Sequence, residues 1–291
     1  MTLPRIPGWL PYDQVHGKHS TVTGTVFVWP SLNSPELSRS REITVYVPPS
    51  LASGEDKGRR YSVIYFHDGQ NVFDSKTSYV GEWHVDETLE KLARGGIEAI
   101  AVGIPNAADD RMDEYSPWRG RSGFGRRLVG GSGGAYLEWL VESVKPMVDR
   151  SFPTRTDREG TGTMGSSLGG LISLYAVAKY PHVFGFVGAM SPSLRWHDYK
   201  IEDLFVDWAP PRPRIHLDMG GREFKGLTTD ARRMRDVLLA SAWVMGRDLQ
   251  YVEDRYGRHH EESWSRRLPD ALRFLLAEAA VVEAAEPGSA A

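Results

Sequence analysis

Residues 161–180 read TGTMGSSLGGLISLYAVAKY. A short run of strand character meets an apolar helical run, with only Gly165-Ser166-Ser167-Leu168-Gly169 between them. A chain passes from strand to helix this abruptly only if the flanking residues are small and one residue accepts strain. The helix that follows is apolar nearly all round, so it must be buried against a sheet. This segment alone restricts the chain to folds in which strands and helices alternate in layers.

The rest of the sequence keeps that rhythm. Two β-rich runs, 22–29 and 42–47, are separated by a loop and read as an antiparallel pair. YSVIYF (61–66), IEAIAVGI (97–104), TGTM (161–164), FGFVGAM (184–190), RIHLDM (214–219) and DLQYVED (248–254) are further strands. The unbroken apolar runs among them suit strands covered on both faces. Helical spacing predicts helices at 83–94, 135–149, 168–180 and 229–245, and a last one carrying Trp264, Leu268, Leu272 and Leu275. Residues 105–134 are expected to be loop. The expected fold is α/β, a mostly parallel central sheet with helices on both faces and an antiparallel N-terminal strand pair. Residues 1–20 read as an N-terminal extension, 21–277 as one domain, and the Ala- and Glu-rich 278–291 as a disordered tail.

Composition removes several classes of function. The formal charge is −3, from 35 basic and 38 acidic residues, so no nucleic-acid partner is expected. The absence of cysteine excludes disulfides, thiolate zinc sites and a cysteine nucleophile. No apolar run approaches the roughly 20 residues of a membrane span, so no membrane partner is expected. The N-terminus, with Pro4 and Pro7, lacks the apolar core of a secretory signal, and a cytoplasmic location is expected. None of the nine histidines shows H-E-x-x-H spacing, so neither a metal nor a cofactor is expected.

G-x-S-x-G occurs a second time, as Gly130-Gly131-Ser132-Gly133-Gly134, but its lead-in GFGRRLV is charged and Gly-rich. With no core strand to carry the turn, that match reads as a flexible loop. Ser167 is the candidate nucleophile, and Leu168, at the helix start, has a backbone N–H free to face an oxyanion. A serine hydroxyl needs a base, and the base needs an acid to orient it. In folds with this turn the chain order is Ser, acid, His. DMGGREF supplies Asp218 inside a strand and Glu223 in the loop past its carboxyl end, where active groups collect, so Glu223 is favoured. YGRHHEESW supplies His259 and His260, which spacing alone does not separate. Trp83, Trp118, Trp196 and Trp264 are candidates for an aromatic-walled substrate pocket. Arg111 and Glu114 are candidates for an ion pair near its mouth.

The motifs YFHDGQNVFD, GEWHVDETL, RMDEYSP, AYLEWLVESVKPMVD, MGSSLGGLISLYA, VFGFVGAMSPSL, DMGGREF and HHEESW lie between residues 41 and 276. In combination they resemble the putative esterase family of α/β-hydrolases. That family takes in enterochelin esterases, the feruloyl and acetylxylan esterases of carbohydrate esterase family one, S-formylglutathione hydrolases and mycolyltransferases. The resemblance implies an α/β-hydrolase fold and ester hydrolysis through an acyl-enzyme. It gives Ser167 the nucleophile's place and Glu223 the acid's, in a Gly-x-x-Glu/Asp loop. The family's base lies five residues before a Trp, so Trp264 selects His259. The HDGQ segment, 67–70, matches the family's oxyanion loop, which makes the Gln70 N–H the partner of Leu168. The implied substrate is a small acyl or aryl ester: feruloyl, acetyl-sugar, siderophore-lactone or simple. The mycolyltransferase branch leaves transfer to a carbohydrate alcohol as the alternative, and a non-catalytic module on the same fold is a more remote one.

Overall fold

The computed structural model describes residues 6–18, 20–55, 58–121 and 128–277. The expected tail, 278–291, lies outside the described residues. In chain order the elements are β1 (Leu10–Pro11), α1 (Tyr12–His16), β2 (Thr25–Ser34), β3 (Arg39–Val47), α2 (Pro49–Ser53), β4 (Ser62–His67) and α3 (Val85–Ala93). Then come β5 (Ala99–Ile104), α4 (Arg111–Glu114), β6 (Gly120–Arg121), β7 (Leu128–Val129), α5 (Gly133–Trp139), α6 (Lys145–Ser151), β8 (Thr161–Ser166) and α7 (Leu168–Lys179). β9 (Phe186–Met190), β10 (Arg214–Gly220), α8 (Leu227–Ala240), β11 (Leu249–Asp254) and α9 (Glu261–Leu276) complete the described chain.

Nine strands form one sheet in the order β1-β2-β3-β5-β4-β8-β9-β10-β11. From β5 to β11 every neighbouring pair is parallel. β1, β2 and β3 add an antiparallel flank. This is the α/β-hydrolase architecture, and it brings the carboxyl ends of six parallel strands to one edge.

Strand alternation divides the core in two. Val63 and Tyr65 of β4 face a cluster with Leu137, Val148, Leu171 and Leu238 from α5 to α8. Ile64 and Phe66, one residue out of phase, face Leu89 of α3 and Leu268 and Leu272 of α9. Helices therefore cover both faces. Each fully buried aliphatic or aromatic side chain contributes about 1.5–3 kcal/mol.

Several elements differ from the sequence expectation. The loop expected between the first two strands is mostly strand: Leu32, Asn33 and Ser34 pair with Arg41, Ser40 and Arg39 beyond a bulge at Trp29/Leu32. Pro30, which cannot donate to the ladder, falls inside that bulge. Residues 9–12 are tied to the sheet, since Leu10 and Pro11 pair with Val28 and Phe27, and Trp9 and Tyr12 are buried. The helix expected over 135–149 contains a π-turn, Leu140–Val144, between α5 and α6. Pro146 explains it, because proline lacks the N–H that a regular turn would use. Residues 105–134, expected to be loop, contain α4 and the β6–β7 ribbon.

Candidate active site

β8 ends at Ser166 and α7 begins at Leu168. Ser167, between them, has φ 56° and ψ −120°. A side chain held there costs about 1–3 kcal/mol, which the surroundings must overcome. Three backbone bonds of 3.0 Å fix it: Ser167 N–H donates to the Met190 carbonyl, and Leu171 and Ser193 N–H groups donate to the Ser167 carbonyl. Glycines let the turn close. A Cβ on Gly165 would lie 2.7 Å from the Gly169 backbone. The Ser167 hydroxyl is 3.3 Å from that of Ser193. Ser132, the other match, has an ordinary φ of −95° before α5 and does not line the cleft that Ser167 faces.

Beyond β10 and β11 the structure joins one acid to one histidine. His259 Nδ1 lies 2.7 Å from Glu223 Oε2. The other oxygen of Glu223 accepts from Ser191 Oγ at 2.5 Å and from the Gly220 N–H at 2.8 Å. With its Nδ1 on a carboxylate, the His259 ring is held in place where it lines the cleft. Trp264 meets the His259 ring edge-on, with centroids 5.0 Å apart, and donates from Nε1 to Ser191 Oγ at 3.0 Å. The five-residue spacing from His to Trp thus has a physical basis, because the indole braces the imidazole and the acid together.

Asp218 and His260 have other tasks. Asp218 is fully buried and receives Arg267 Nε and Nη2 at 2.9 Å each, with His216 Nε2 at 3.1 Å. Burial would raise its carboxyl, but the bond to His216 and the Arg267 charge outweigh that and hold it below the usual range. His260 is the N-cap of α9, and its Nδ1 accepts the Glu262 N–H at 3.3 Å.

The loop after β4 closes the opposite side. Asp68 is left-handed, with φ 55° and ψ 45°. A Cβ on Gly69 would sit 2.2 Å from the Ile104 backbone nitrogen, so glycine is required there. Asp68 takes Arg111 Nε and Nη2 at 2.7 Å each and Asn106 Nδ2 at 2.6 Å. The Gln70 side-chain oxygen accepts the Asn106 N–H at 3.1 Å, and its carbonyl accepts Thr77 Oγ1 at 2.7 Å. Gln70 is thus anchored through both side chain and main chain. The expected pairing of Arg111 with Glu114 is not found. Glu114 instead binds Arg41 Nη2 at 2.5 Å in the core, and Arg111 is taken by Asp68. No motif announced Asn106, and Ser191 lies within VFGFVGAMSPSL without having been singled out. Both act across long sequence separations.

A cleft of about 960 Å³ brings these parts together, and Gln70, Ser167, His259, Arg111 and Trp264 all line it. Of the four tryptophans expected on its wall, only Trp264 is there. Trp83 is buried beneath Trp264, with centroids 5.9 Å apart. Trp196 Nε1 donates to the Trp118 carbonyl at 2.8 Å, and Trp118 stacks on His197, so this pair fastens surface loops together. The wall is built instead by exposed Tyr79 and Val80, which carry no motif. Buried Glu261 also lines the cleft, and its burial, helped by Asp68, raises its carboxyl. Among the described residues Glu82, His84 and Glu87 are the one group of three donors close enough to share a cation, and they lie outside the cleft lining.

Comparison with known proteins gives the family and the fold. A sequence profile described as putative esterase matches residues 34–275. The chain belongs to the putative esterase family. It is a carboxylic-ester hydrolase of the α/β-hydrolase type. The uncharacterized protein YbbA of Bacillus subtilis is 29% identical over 197 residues, 67% of this chain and 74% of the relative. A siderophore enterobactin esterase of Emericella nidulans is 27% identical over 194 residues, covering 59% of this chain and 61% of the relative, under two thirds of its length. Among solved structures, the BES protein from Bacillus cereus superposes with a TM-score of 0.69 at 18% identity, covering 90% of this chain and 99% of that one. The siderophore hydrolase EstA from Aspergillus nidulans gives 0.67 at 19% identity, covering 89% and 97%. At these identities the structural likeness carries the fold alone. No helix among the described residues is long and apolar enough to cross a membrane.

Proposed function

We propose that this esterase works through an acyl-enzyme on Ser167, with His259 as general base and Glu223 orienting it. The observation that carries the reading is the 2.7 Å contact of His259 Nδ1 with Glu223, on an imidazole that shares its cleft with Ser167. In the first half-reaction His259 Nε2 takes the Ser167 proton as Oγ attacks the ester carbonyl. Glu223 stabilises the imidazolium that forms. The N–H groups of Gln70 and Leu168 hold the oxyanion, each worth roughly 3 kcal/mol in the transition state. The C–O bond then breaks, and the alcohol leaves with the proton from His259. Water repeats the sequence, returning the acid product and free Ser167. The substrate is a small-molecule ester. The siderophore esterases among the relatives favour a siderophore ester over feruloyl or acetyl-sugar esters.

A fluorophosphonate probe tests the nucleophile directly. It should modify Ser167 and leave Ser132 untouched. Ser167→Ala and His259→Ala should each remove more than 99% of p-nitrophenyl acetate turnover, with losses of up to about 10⁶-fold for groups of this kind. An active His259→Ala beside an inactive His260→Ala, or Asp218→Asn harming turnover far more than Glu223→Gln, would overturn the assignments.

A further inference from the structure

The segment that lifts Tyr79 and Val80 onto the cleft wall runs on through Gly81 to the start of α3. There the left-handed turn at His84, φ 55° and ψ 47°, folds the chain so that three side chains converge. His84 Nδ1 lies 3.6 Å from Glu82 Oε2 and 3.3 Å from Glu87 Oε1. One donor atom from each of the three falls within 4.8 Å of the others. Glu82 is only 6% exposed, and its Oε1 is buried without a hydrogen-bond partner. Its Oε2, aimed at His84, accepts from Thr21 Oγ1 at 3.1 Å. Asp74 and Asp86 lie close by, bonded to Thr21 and to the Thr23 N–H. Among the described residues no Lys or Arg forms an ion pair with Asp74, Glu82, Asp86 or Glu87, and His84 is the one basic side chain paired with this group. A buried carboxylate oxygen left without a donor is a costly arrangement, which a cation relieves.

We propose that Glu82, His84 and Glu87 form a binding site for one divalent transition-metal cation of the Zn²⁺ type. One imidazole nitrogen with two carboxylate oxygens suits a borderline cation, whereas Ca²⁺ and Mg²⁺ favour shells made of oxygen alone. At metal–ligand distances of about 2.0–2.2 Å, tetrahedral donors stand roughly 3.5 Å apart. Both contacts of His84 already meet that spacing. The side chains of His84 and Glu87 are 51% and 26% exposed, so they can turn in and leave room for water as the fourth ligand. None of the three lines the cleft, so the cation is structural. It would fasten the loop bearing Tyr79 and Val80 to α3. The same loop touches α9, since a Cβ on Gly81 would lie 3.2 Å from Glu261 Cβ. Metal occupancy therefore bears on the shape of the cleft wall and not on the reacting groups.

Titration calorimetry of the EDTA-stripped full chain with ZnCl₂ tests the site. One equivalent should bind, and the thermal midpoint should rise with Zn²⁺. His84→Ala, at an exposed side chain, and Glu87→Gln, at a half-buried one, both chosen to spare buried Glu82, should each weaken that binding at least tenfold. His259→Ala should bind Zn²⁺ as the parent does, which separates this site from the cleft. The proposal is overturned by absence of saturable binding in the parent chain, by undiminished affinity in His84→Ala, or by loss of binding in His259→Ala.

Discussion

At the scale of single residues, Ser191 ties together several parts of the centre. Its hydroxyl donates to Glu223 and accepts from Trp264 Nε1 and Arg267 Nη2 at 3.0 Å each. Its backbone N–H donates to Asp218 Oδ1 at 3.0 Å. One small side chain thus couples the carboxylate facing His259 to the buried Asp218–Arg267 ion pair. Removing the hydroxyl leaves Glu223 short of a donor and strips two cationic or indole N–H groups of their acceptor. Such a loss is worth about 1–2 kcal/mol. Ser191→Ala should therefore lower kcat about tenfold with KM little changed. Ser191→Thr, which keeps the oxygen, should recover part of the loss. Steady-state kinetics on the three proteins decides it, and an unchanged kcat in the alanine variant would sink the idea.

At the scale of elements, the turn between β8 and α7 is limited by backbone and not by side chains. Gly165 has the Gly169 backbone where its Cβ would go, and no rotamer change can relieve that contact. Gly165→Ala should lower the denaturant midpoint by the equivalent of about 2 kcal/mol or more, within the range for overpacking a filled core. It should also suppress turnover with Ser167 still present, because the strand and helix must part. Equilibrium unfolding in urea beside an activity assay checks both. This turn was legible in the sequence because its cause is local: a strand run, small residues and an apolar helix within twenty positions. The alternation of strands and helices was legible for the same reason. What the residues did not reveal comes from distant partners. The polar stretch 31–40 resembles a loop until Arg39, Ser40 and Arg41 meet Ser34, Asn33 and Leu32 across the hairpin. Trp83 resembles a pocket wall until Phe66 and Trp264 close over it. Between Asp218 and Glu223 the position past the strand end already favoured Glu223. Between His259 and His260 the residues alone were silent, and the spacing to Trp264 came from the family resemblance. The grouping of Glu82, His84 and Glu87 fits no linear metal motif, because it depends on the left-handed turn at His84.

At the scale of the whole molecule, stability against pH turns on His67, the last residue of β4. Its ring is wholly enclosed, bonded to Tyr136 Oη at 2.8 Å and Thr163 Oγ1 at 2.9 Å. Burial pushes its pKa down to about 3. The folded protein therefore keeps this imidazole neutral, while the unfolded chain takes up a proton near pH 6.5. Between those two values the unfolded state binds more protons, so stability falls as pH drops from about 6.5 toward 3. The slope is up to about 1.4 kcal/mol per pH unit for one group. Asp218, whose carboxyl is held low, adds its own loss only below the ordinary carboxylate range. Urea midpoints should thus decline already between pH 7 and 5, and His67→Gln should flatten that decline. A variant with the parent's slope would show that other groups set it.

The last helix has a consequence for the chain as it is made. Trp264 meets His259, and Arg267 reaches Glu223 through Ser191, so on the proposed mechanism the base is held by residues of α9 that come late in the order of synthesis. Ser167 leaves the ribosome well before them. At roughly 5–20 residues per second, it waits on the order of ten seconds for its imidazole. A nascent or truncated chain lacking α9 would carry a serine already set on its turn beside a His259–Glu223 pair without the support of Trp264 and Arg267. On that mechanism, full acyl transfer would wait until α9 has docked.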